Sequence, residues 1–406
     1  MSDNSILIIG AGHAGFQLAV SLRQLGHAGS IGLVNDEALL PYQRPPLSKA
    51  HLKGDGGTEG VIFRPAKFFA DQNIELISDR AVAIDRARRA VLLASGASRS
   101  YGHLVFATGA RNRLLDVPNA NVDGVMYLRS FAESEALRTR VAAGRRVVVI
   151  GAGFIGLEFA ATARAKGMEV DVLELAPRVM ARAVTPDISS YFERKHAEAG
   201  IRIHFGVRAT EIETEHGRLA AVSLSDGRRL AADLVVVGVG VLPNVELAAE
   251  AGLDVASGIV VDRFLASSDP AISAIGDCAL FDSPAFDAPM RLESVQNATD
   301  QARCLAARLT GKAEIYSSLP WFWSDQGADK LQIAGLTAGF DRAVMRGDPA
   351  AGAFSAFCYK GDRLIGIESV NRAGDHMFGR RLLGAGRSIT PDQAVDPAFD
   401  LKRALA

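Results

Sequence analysis

The sequence predicts an α/β protein with two parallel-sheet halves, followed by a C-terminal α+β segment built on an antiparallel sheet. Three observations predict it. In the stretch Arg146–Glu158 the apolar run Val147–Ile150 enters a turn carrying Gly151, Gly153 and Gly156; a helix-like segment follows, and the strand-like Glu169–Leu173 ends at Glu174. The same arrangement occurs once earlier, as Ile6–Ile9, then Gly10, Gly12 and Gly15, a helix over Phe16–Leu25, and a strand over Ser30–Val34 followed by Asp36. From about Leu319 the pattern changes. Leu331–Leu336, Ala343–Arg346, Phe354–Tyr359 and Leu364–Ser369 read as antiparallel strands, with Gly-Asp turns at Gly347 and Gly361, before a helix over Met377–Leu383 and a basic tail, Lys402-Arg403.

Each strand–GxGxxG–helix–strand–acid unit is a Rossmann-like dinucleotide site. The glycines allow a tight turn and close backbone approach to a pyrophosphate, which the helix N-terminus favours electrostatically. Glu174 stands at the spacing of an acid that accepts hydrogen bonds from an adenosine ribose. In the first copy Asp36 or Glu37 could do so, and register favours Asp36, nearer the strand end. Two complete sites on one chain point to two dinucleotides that exchange electrons.

Between the two units lies Pro41-Tyr-Gln-Arg-Pro-Pro-Leu-Ser-Lys49. Pro45 and Pro46 forbid a regular helix or central strand and hold Arg44 extended. A stiff loop carrying Arg44 and Lys49 suits a cofactor wall. Strands are expected at Asn73–Ile77, Ala90–Leu93 and Leu104–Gly109. After the second unit come a helix from about Asp187 to Ala199 and strands at Ile201–Phe205, Leu219–Leu224 and Leu234–Val239, the last closing on Gly238-Val-Gly-Val-Leu-Pro-Asn244. Ser268–Asp277 is another apolar strand ending in Gly-Asp, with a helix over Asn297–Leu309. Three domains result: 1–109 with 244–318, an inserted 110–243, and 319–406.

Composition narrows the function. With 406 residues the chain exceeds one ordinary core. A net charge of −1 gives no global field toward nucleic acid or an anionic membrane. No apolar run approaches the roughly 18 residues of a bilayer span, and the opening Met1-Ser-Asp-Asn-Ser5 lacks a signal-peptide pattern, so a cytoplasmic location is expected. Cys278, Cys304 and Cys358 are scattered, with neither a Cys-x-x-Cys pair nor metal-ligand spacing, so no metal site is expected. A dithiol relay needs two neighbouring cysteines, which excludes the disulfide reductases.

Together these pieces resemble the two-dinucleotide flavoprotein reductases of the glutathione-reductase fold. More narrowly, the chain is similar to NADH-dependent ferredoxin reductases of the putidaredoxin reductase type, which serve cytochrome P450 and ring-hydroxylating dioxygenase systems. The resemblance spans the chain through Arg44-Pro-Pro-Leu-Ser-Lys49, Ala107-Thr-Gly109, Gly151–Glu158, Ala274-Ile-Gly-Asp-Cys278, Glu293-Ser-Val-Gln-Asn-Ala298 and Pro320-Trp-Phe-Trp-Ser-Asp-Gln326. Gln296 departs from it, where the type protein has proline.

The resemblance implies FAD on the first glycine turn, with Gly10, Gly12, Ala14 and Gly15 at the pyrophosphate and Asp36 at the ribose. Arg44, Lys49, Val82 and Arg129 would line the flavin, with Asp277 at its ribityl–phosphate region and Val295 near the ring. NADH would occupy Gly151, Gly153, Ile155 and Gly156, with Glu174, Arg182 and Gly240 beside it, and Glu293 and Trp321 would order the nicotinamide. Glu174 would repel a 2′-phosphate, which favours NADH over NADPH. Lys49 and Glu158 would form a catalytic ion pair, the lysine stabilising charge on the reduced flavin. Electrons would leave singly to a [2Fe-2S] ferredoxin docked through Arg64, Arg303, Lys402 and Trp323. The resemblance also extends to rubredoxin reductases and to apoptosis-inducing-factor-like flavoproteins, whose NADH-driven reduction would change an interaction surface rather than feed a carrier.

Overall fold

The computed structural model describes residues 4–54, 57–283 and 288–405. Met1–Asp3, the start of the stretch read for a signal peptide, lie outside them. The chain forms two compact units, Met1–Arg44 with Thr58–Arg111 and Val241–Ser318, and Pro45–Gly57 with Asn112–Gly240 and Leu319–Ala406.

The first unit is built on a five-stranded parallel sheet in the order Ile272–Ala274, His103–Phe106, Ile6–Ile9, Ile31–Val34, Ile74–Ile77. Ile6–Ile9 is buried throughout because it is an interior strand covered on both faces, which is why it reads as a continuous apolar run. The helix His13–Gln24 crosses from it to Ile31–Val34 and packs against Val295–Leu309, with Leu18 and Leu22 fully buried. Strand Ile272–Ala274 shows why the chain returns late: it completes the sheet begun by the first residues.

The second unit repeats the plan in Arg202–Phe205, Glu169–Glu174, Arg146–Ile150, Leu234–Val237 and Val125–Tyr127, all parallel. A five-stranded antiparallel sheet in the same unit runs in the order Trp321–Gln326, Asp329–Gly335, Arg363–Val370, Ala353–Lys360, Arg342–Asp348, with the helix Ala373–Gly384 packed on it.

Two local expectations change. The turn placed at Gly347-Asp348 is the end of a strand, and the reversal falls on 349–352; Gly347 keeps φ +91 because a Cβ there would come 2.6 Å from the Ala353 carbonyl oxygen. The first strand of the last sheet is Trp321–Gln326, two tryptophans earlier than the pattern beginning at Leu331 suggested. Within the stiff loop, Pro45–Ser48 forms a 3₁₀ turn, followed by the short helix Ala50–Lys53. Proline fits the first positions of such a turn, where its missing N–H has no partner to lose.

Candidate functional site

Two glycine turns sit at equivalent places in the two parallel sheets. Gly10 has φ +107 and Gly151 φ +106, and a Cβ at either would come 2.3 or 2.5 Å from a backbone oxygen, of Ala107 or Gly238. Gly15 and Gly156 face the Gly10 and Gly151 carbonyls at 1.9 and 2.1 Å from an added Cβ, so strand and helix close together only with glycine there. Gly12 and Gly153 differ: an added Cβ meets nothing within 4 Å, so the backbone looks into open space. The helices beginning at His13 and Phe154 carry neither a side-chain cap nor an acid in the first turn. Their first amides are therefore left for an anion. Both turns fit the pyrophosphate of a dinucleotide.

The strand ends are not equivalent. Ile150 pairs with Leu173 and Ile9 with Val34, so the residue matching Glu174 is Asn35. Glu174 receives the Ala152 N–H at 2.8 Å and the Ala176 N–H at 2.8 Å, which aims its carboxylate at the glycine turn and leaves lone pairs for ribose hydroxyls. In the first unit Asn35 instead ties its loop through the Leu39 carbonyl at 2.7 Å, and Asp36 follows, exposed. Glu37 is held by Arg44 at 2.7 Å and by the Tyr42 hydroxyl. Asp36 and Glu37 line one cavity with Ser78, Asp79 and Arg80. Burial disfavours the Arg44 charge, but Tyr42, Glu37 and Asp277 outweigh it and raise its pKa. Asp277 reaches this place because Gly276, at φ +78, lets the turn lie against Ala14. His13 is held neutral, its pKa lowered to about 4 by burial and then by Arg44.

Lys49 and Glu158 meet. Glu158 is 4% exposed, and its carboxylate accepts from the Ser48 hydroxyl at 2.6 Å, the Ser324 hydroxyl at 2.7 Å and the Asp325 N–H at 3.2 Å, with the Lys49 ammonium at 3.2 Å. A second carboxylate, Asp325, lies 3.3 Å from the same ammonium. Strand alternation explains how one segment supplies these groups. Phe322, Ser324 and Gln326 face one way, against Phe154 (4.5 Å between rings), Glu158 and His196. Trp321, Trp323 and Asp325 face the other, with the two indoles 5.6 Å apart and Lys49 5.9 Å from the Trp323 ring. The loop bearing Lys49 is tied down by Ser134 on the Leu47 carbonyl at 2.8 Å and Thr162 on the Ser48 carbonyl at 3.1 Å. Ser48, Ser324 and Asp325 were missed as functional residues although they stand inside two of the quoted motifs.

The other expected residues have local partners of their own or stand exposed. Trp321 stacks under the Arg380 guanidinium at 4.3 Å, with His376 edge-on at 5.7 Å. Arg129 gives its backbone N–H to Glu133 at 2.9 Å at the start of the helix Phe131–Arg140. Val82 is half-exposed on the strand Ala81–Asp85, Val295 opens the helix Val295–Leu309, and Ile155 is exposed in the first turn after Gly153. Glu293 pairs with Arg291 at 2.7 Å. Gly240, at φ +100, accepts from the Arg113 N–H at 3.0 Å. Arg182 is exposed, whereas Arg178 is committed to Ala181, Val184 and Ser189 at 2.7, 2.8 and 2.7 Å. Arg64, Arg303 and Lys402 are exposed; Arg303 pairs with Asp300 at 3.0 Å. Among the described residues no helix is long and apolar enough to cross a membrane.

Comparison with known proteins places the chain as a whole. The pyridine nucleotide-disulphide oxidoreductase family matches residues 4–302, and the reductase C-terminal family matches 321–405. Rhodocoxin reductase of Rhodococcus erythropolis is 52% identical over 403 residues, covering 99% of this chain and 94% of its own length. The crystal structure of the ferredoxin reductase for the CYP199A2 system from Rhodopseudomonas palustris is 67% identical with a TM-score of 0.98, covering 99% of this chain and 100% of that one. The reductase in the covalent putidaredoxin reductase–putidaredoxin complex is 40% identical with a TM-score of 0.97, covering 100% and 99%. The chain belongs to the pyridine nucleotide-disulphide oxidoreductase family, as a ferredoxin reductase of the putidaredoxin reductase type.

Proposed function

We propose that the chain is a cytoplasmic NADH:ferredoxin oxidoreductase that feeds single electrons to a [2Fe-2S] ferredoxin serving a cytochrome P450 or another oxygenase. One observation carries this reading: two open glycine cradles stand on a chain whose three cysteines, Cys278, Cys304 and Cys358, are all free. With no dithiol to receive them, electrons gathered by two dinucleotides must leave to an external carrier. The relatives support the choice of carrier, since the putidaredoxin reductase fold is known bound to putidaredoxin. Free cysteines suit a reducing compartment.

When bound, NADH supplies a hydride and FAD accepts it and can release electrons one at a time. The residues that would hold FAD are Gly10, Gly12, Ala14 and Gly15 at the pyrophosphate, Asp36 toward the ribose, and Arg44 with Asp277 as the paired charges beside them. Those that would hold NADH are Gly151, Gly153 and Gly156, with Glu174 as the ribose acceptor. Glu174 disfavours a 2′-phosphate by charge; of the two arginines that follow it, Arg178 is already bonded to three acceptors, while Arg182 is exposed. Lys49 keeps a positive charge in place where negative charge develops on the reduced cofactor, and Glu158 orients it. The test is anaerobic rapid-mixing reduction of bound FAD by NADH and by NADPH, followed by turnover with a [2Fe-2S] ferredoxin. NADH should reduce the flavin much faster than NADPH, and carrier reduction should follow. Reduction by NADH without any carrier turnover would overturn the ferredoxin assignment.

A further inference from the structure

We infer that Asp325 is a positioning residue for Lys49: it holds the lysine ammonium in a second bond, so that the charge is fixed rather than free to swing. The inference rests on the role assigned to Lys49 above. Of the two partners of the ammonium, Glu158 is the immobile one. Two serine hydroxyls and a backbone amide already bind its carboxylate, and it is 4% exposed, so its place does not depend on Lys49. Lys49 is the adjustable member, with a flexible four-carbon stem and a side chain 20% exposed. A single contact to Glu158 Oε1 at 3.2 Å leaves the ammonium free to rotate about that oxygen. The second contact, to Asp325 Oδ2 at 3.3 Å, removes that freedom.

Asp325 is suited to the task because its own backbone is fixed. Its N–H is given to Glu158 and the residue pairs with Lys330 across the sheet. Trp321–Gln326 is an edge strand, and the Asp325 amide that would otherwise point away from the sheet is capped by the same carboxylate that holds Lys49. Lys330 also approaches Asp325, but only to 3.9 Å and with a side chain 52% exposed, so Lys49 is the closer partner. Glu158, Lys49 and Asp325 therefore form one unit spanning a helix, a loop and a strand. Alternation along the strand places Asp325 on the face of Trp321 and Trp323, while its amide points to Glu158.

The test combines two readouts on the FAD-bound protein. The first is the rate at which an amine-acylating reagent modifies Lys49, mapped by peptide mass spectrometry. Asp325→Ala should raise it on the order of tenfold, with the isosteric Asp325→Asn in between. The second is a double-mutant cycle on the limiting rate of flavin reduction by NADH, using Asp325→Ala, Lys49→Met and the pair. If Asp325 acts through Lys49, Asp325→Ala slows reduction in the wild-type background and adds nothing in Lys49→Met. Unchanged labelling, or additive rate losses, would overturn the inference while leaving the role of Lys49 intact. Wild-type reduction by Lys49→Met would instead remove that role, and the inference with it. Should Asp325→Ala not retain FAD, Asp325→Asn carries the same comparison, because it keeps the volume and loses only the charge.

Discussion

The carboxylate of Glu158 offers a sharp test of how the last sheet is held on its half of the molecule, by comparing Glu158→Gln with Glu158→Leu. Both side chains fill nearly the same space, so packing changes little. In the glutamine variant the amide nitrogen must face Ser48, because that hydroxyl can turn to accept, whereas Lys49 and the Asp325 N–H can only donate. The amide oxygen then keeps Ser324, Asp325 and Lys49, and the loss is the charge alone, about 1 kcal/mol, the difference between charged and neutral hydrogen bonds. Leucine leaves the Ser48 hydroxyl, the Ser324 hydroxyl and the Asp325 N–H without the acceptor they have at 2.6, 2.7 and 3.2 Å, beside a lysine that has lost one of two carboxylates. Stranded buried donors cost about 1–3 kcal/mol each. The hydroxyls recover part of this by turning, so the expected total is roughly 3–5 kcal/mol, as for breaking a buried pair. Amide hydrogen exchange of the peptide covering Trp321–Gln326 reads this locally. Exchange at Asp325 should rise on the order of a hundredfold more in Glu158→Leu than in Glu158→Gln, since about 1.4 kcal/mol is tenfold. Rates agreeing within a factor of about three would show that this carboxylate does not anchor the strand.

Three further outcomes are expected. Glu174→Gln keeps one of the two backbone N–H bonds, since its amide nitrogen cannot accept the other, and removes the charge that repels a 2′-phosphate, so the ratio of kcat/KM for NADPH to that for NADH should rise on the order of tenfold; an unchanged ratio would remove Glu174 as the discriminator. His376, 1% exposed, has its pKa lowered from 6.5 to about 4 by burial, then by Arg380 and Lys330. Between those pH values the unfolded chain takes up a proton that the native state refuses, so stability is full above the unfolded pKa and falls by up to roughly 3 kcal/mol as pH drops to the folded one. Denaturation of His376→Phe should show a flatter pH dependence across that window, and parallel curves would count against the buried neutral ring. Arg303→Glu should weaken ferredoxin-dependent turnover, more at low salt than at high, because exposed charges act through a screened field; an equal fall in ferricyanide reduction would indicate misfolding instead.

The glycine cradles were legible because everything that defines them is local. Strand, turn and helix follow one another in sequence, and the close backbone approaches at Gly10, Gly15, Gly151 and Gly156 are ones only glycine satisfies. The cluster around Lys49 was legible only by its two charged ends. Ser48 lies 110 residues from Glu158 and Ser324 lies 166 from it, and neither has a pattern in its own neighbourhood that announces a buried carboxylate. A signal was present in the alternation of Trp-Phe-Trp-Ser-Asp-Gln. Read with a period of two, it separates a face of Phe322, Ser324 and Gln326 from one of Trp321, Trp323 and Asp325. The large indoles drew attention to themselves, and the small polar residues between them did not. Arg44 and Arg178 make the same point for charge. Sequence shows that a cation is near a cofactor turn, but only the fold shows that Glu37 and Tyr42 hold the first and that three acceptors have consumed the second. Specificity here depends as much on which cations are already committed as on which are nearby, and that commitment is set by contacts the linear chain does not display.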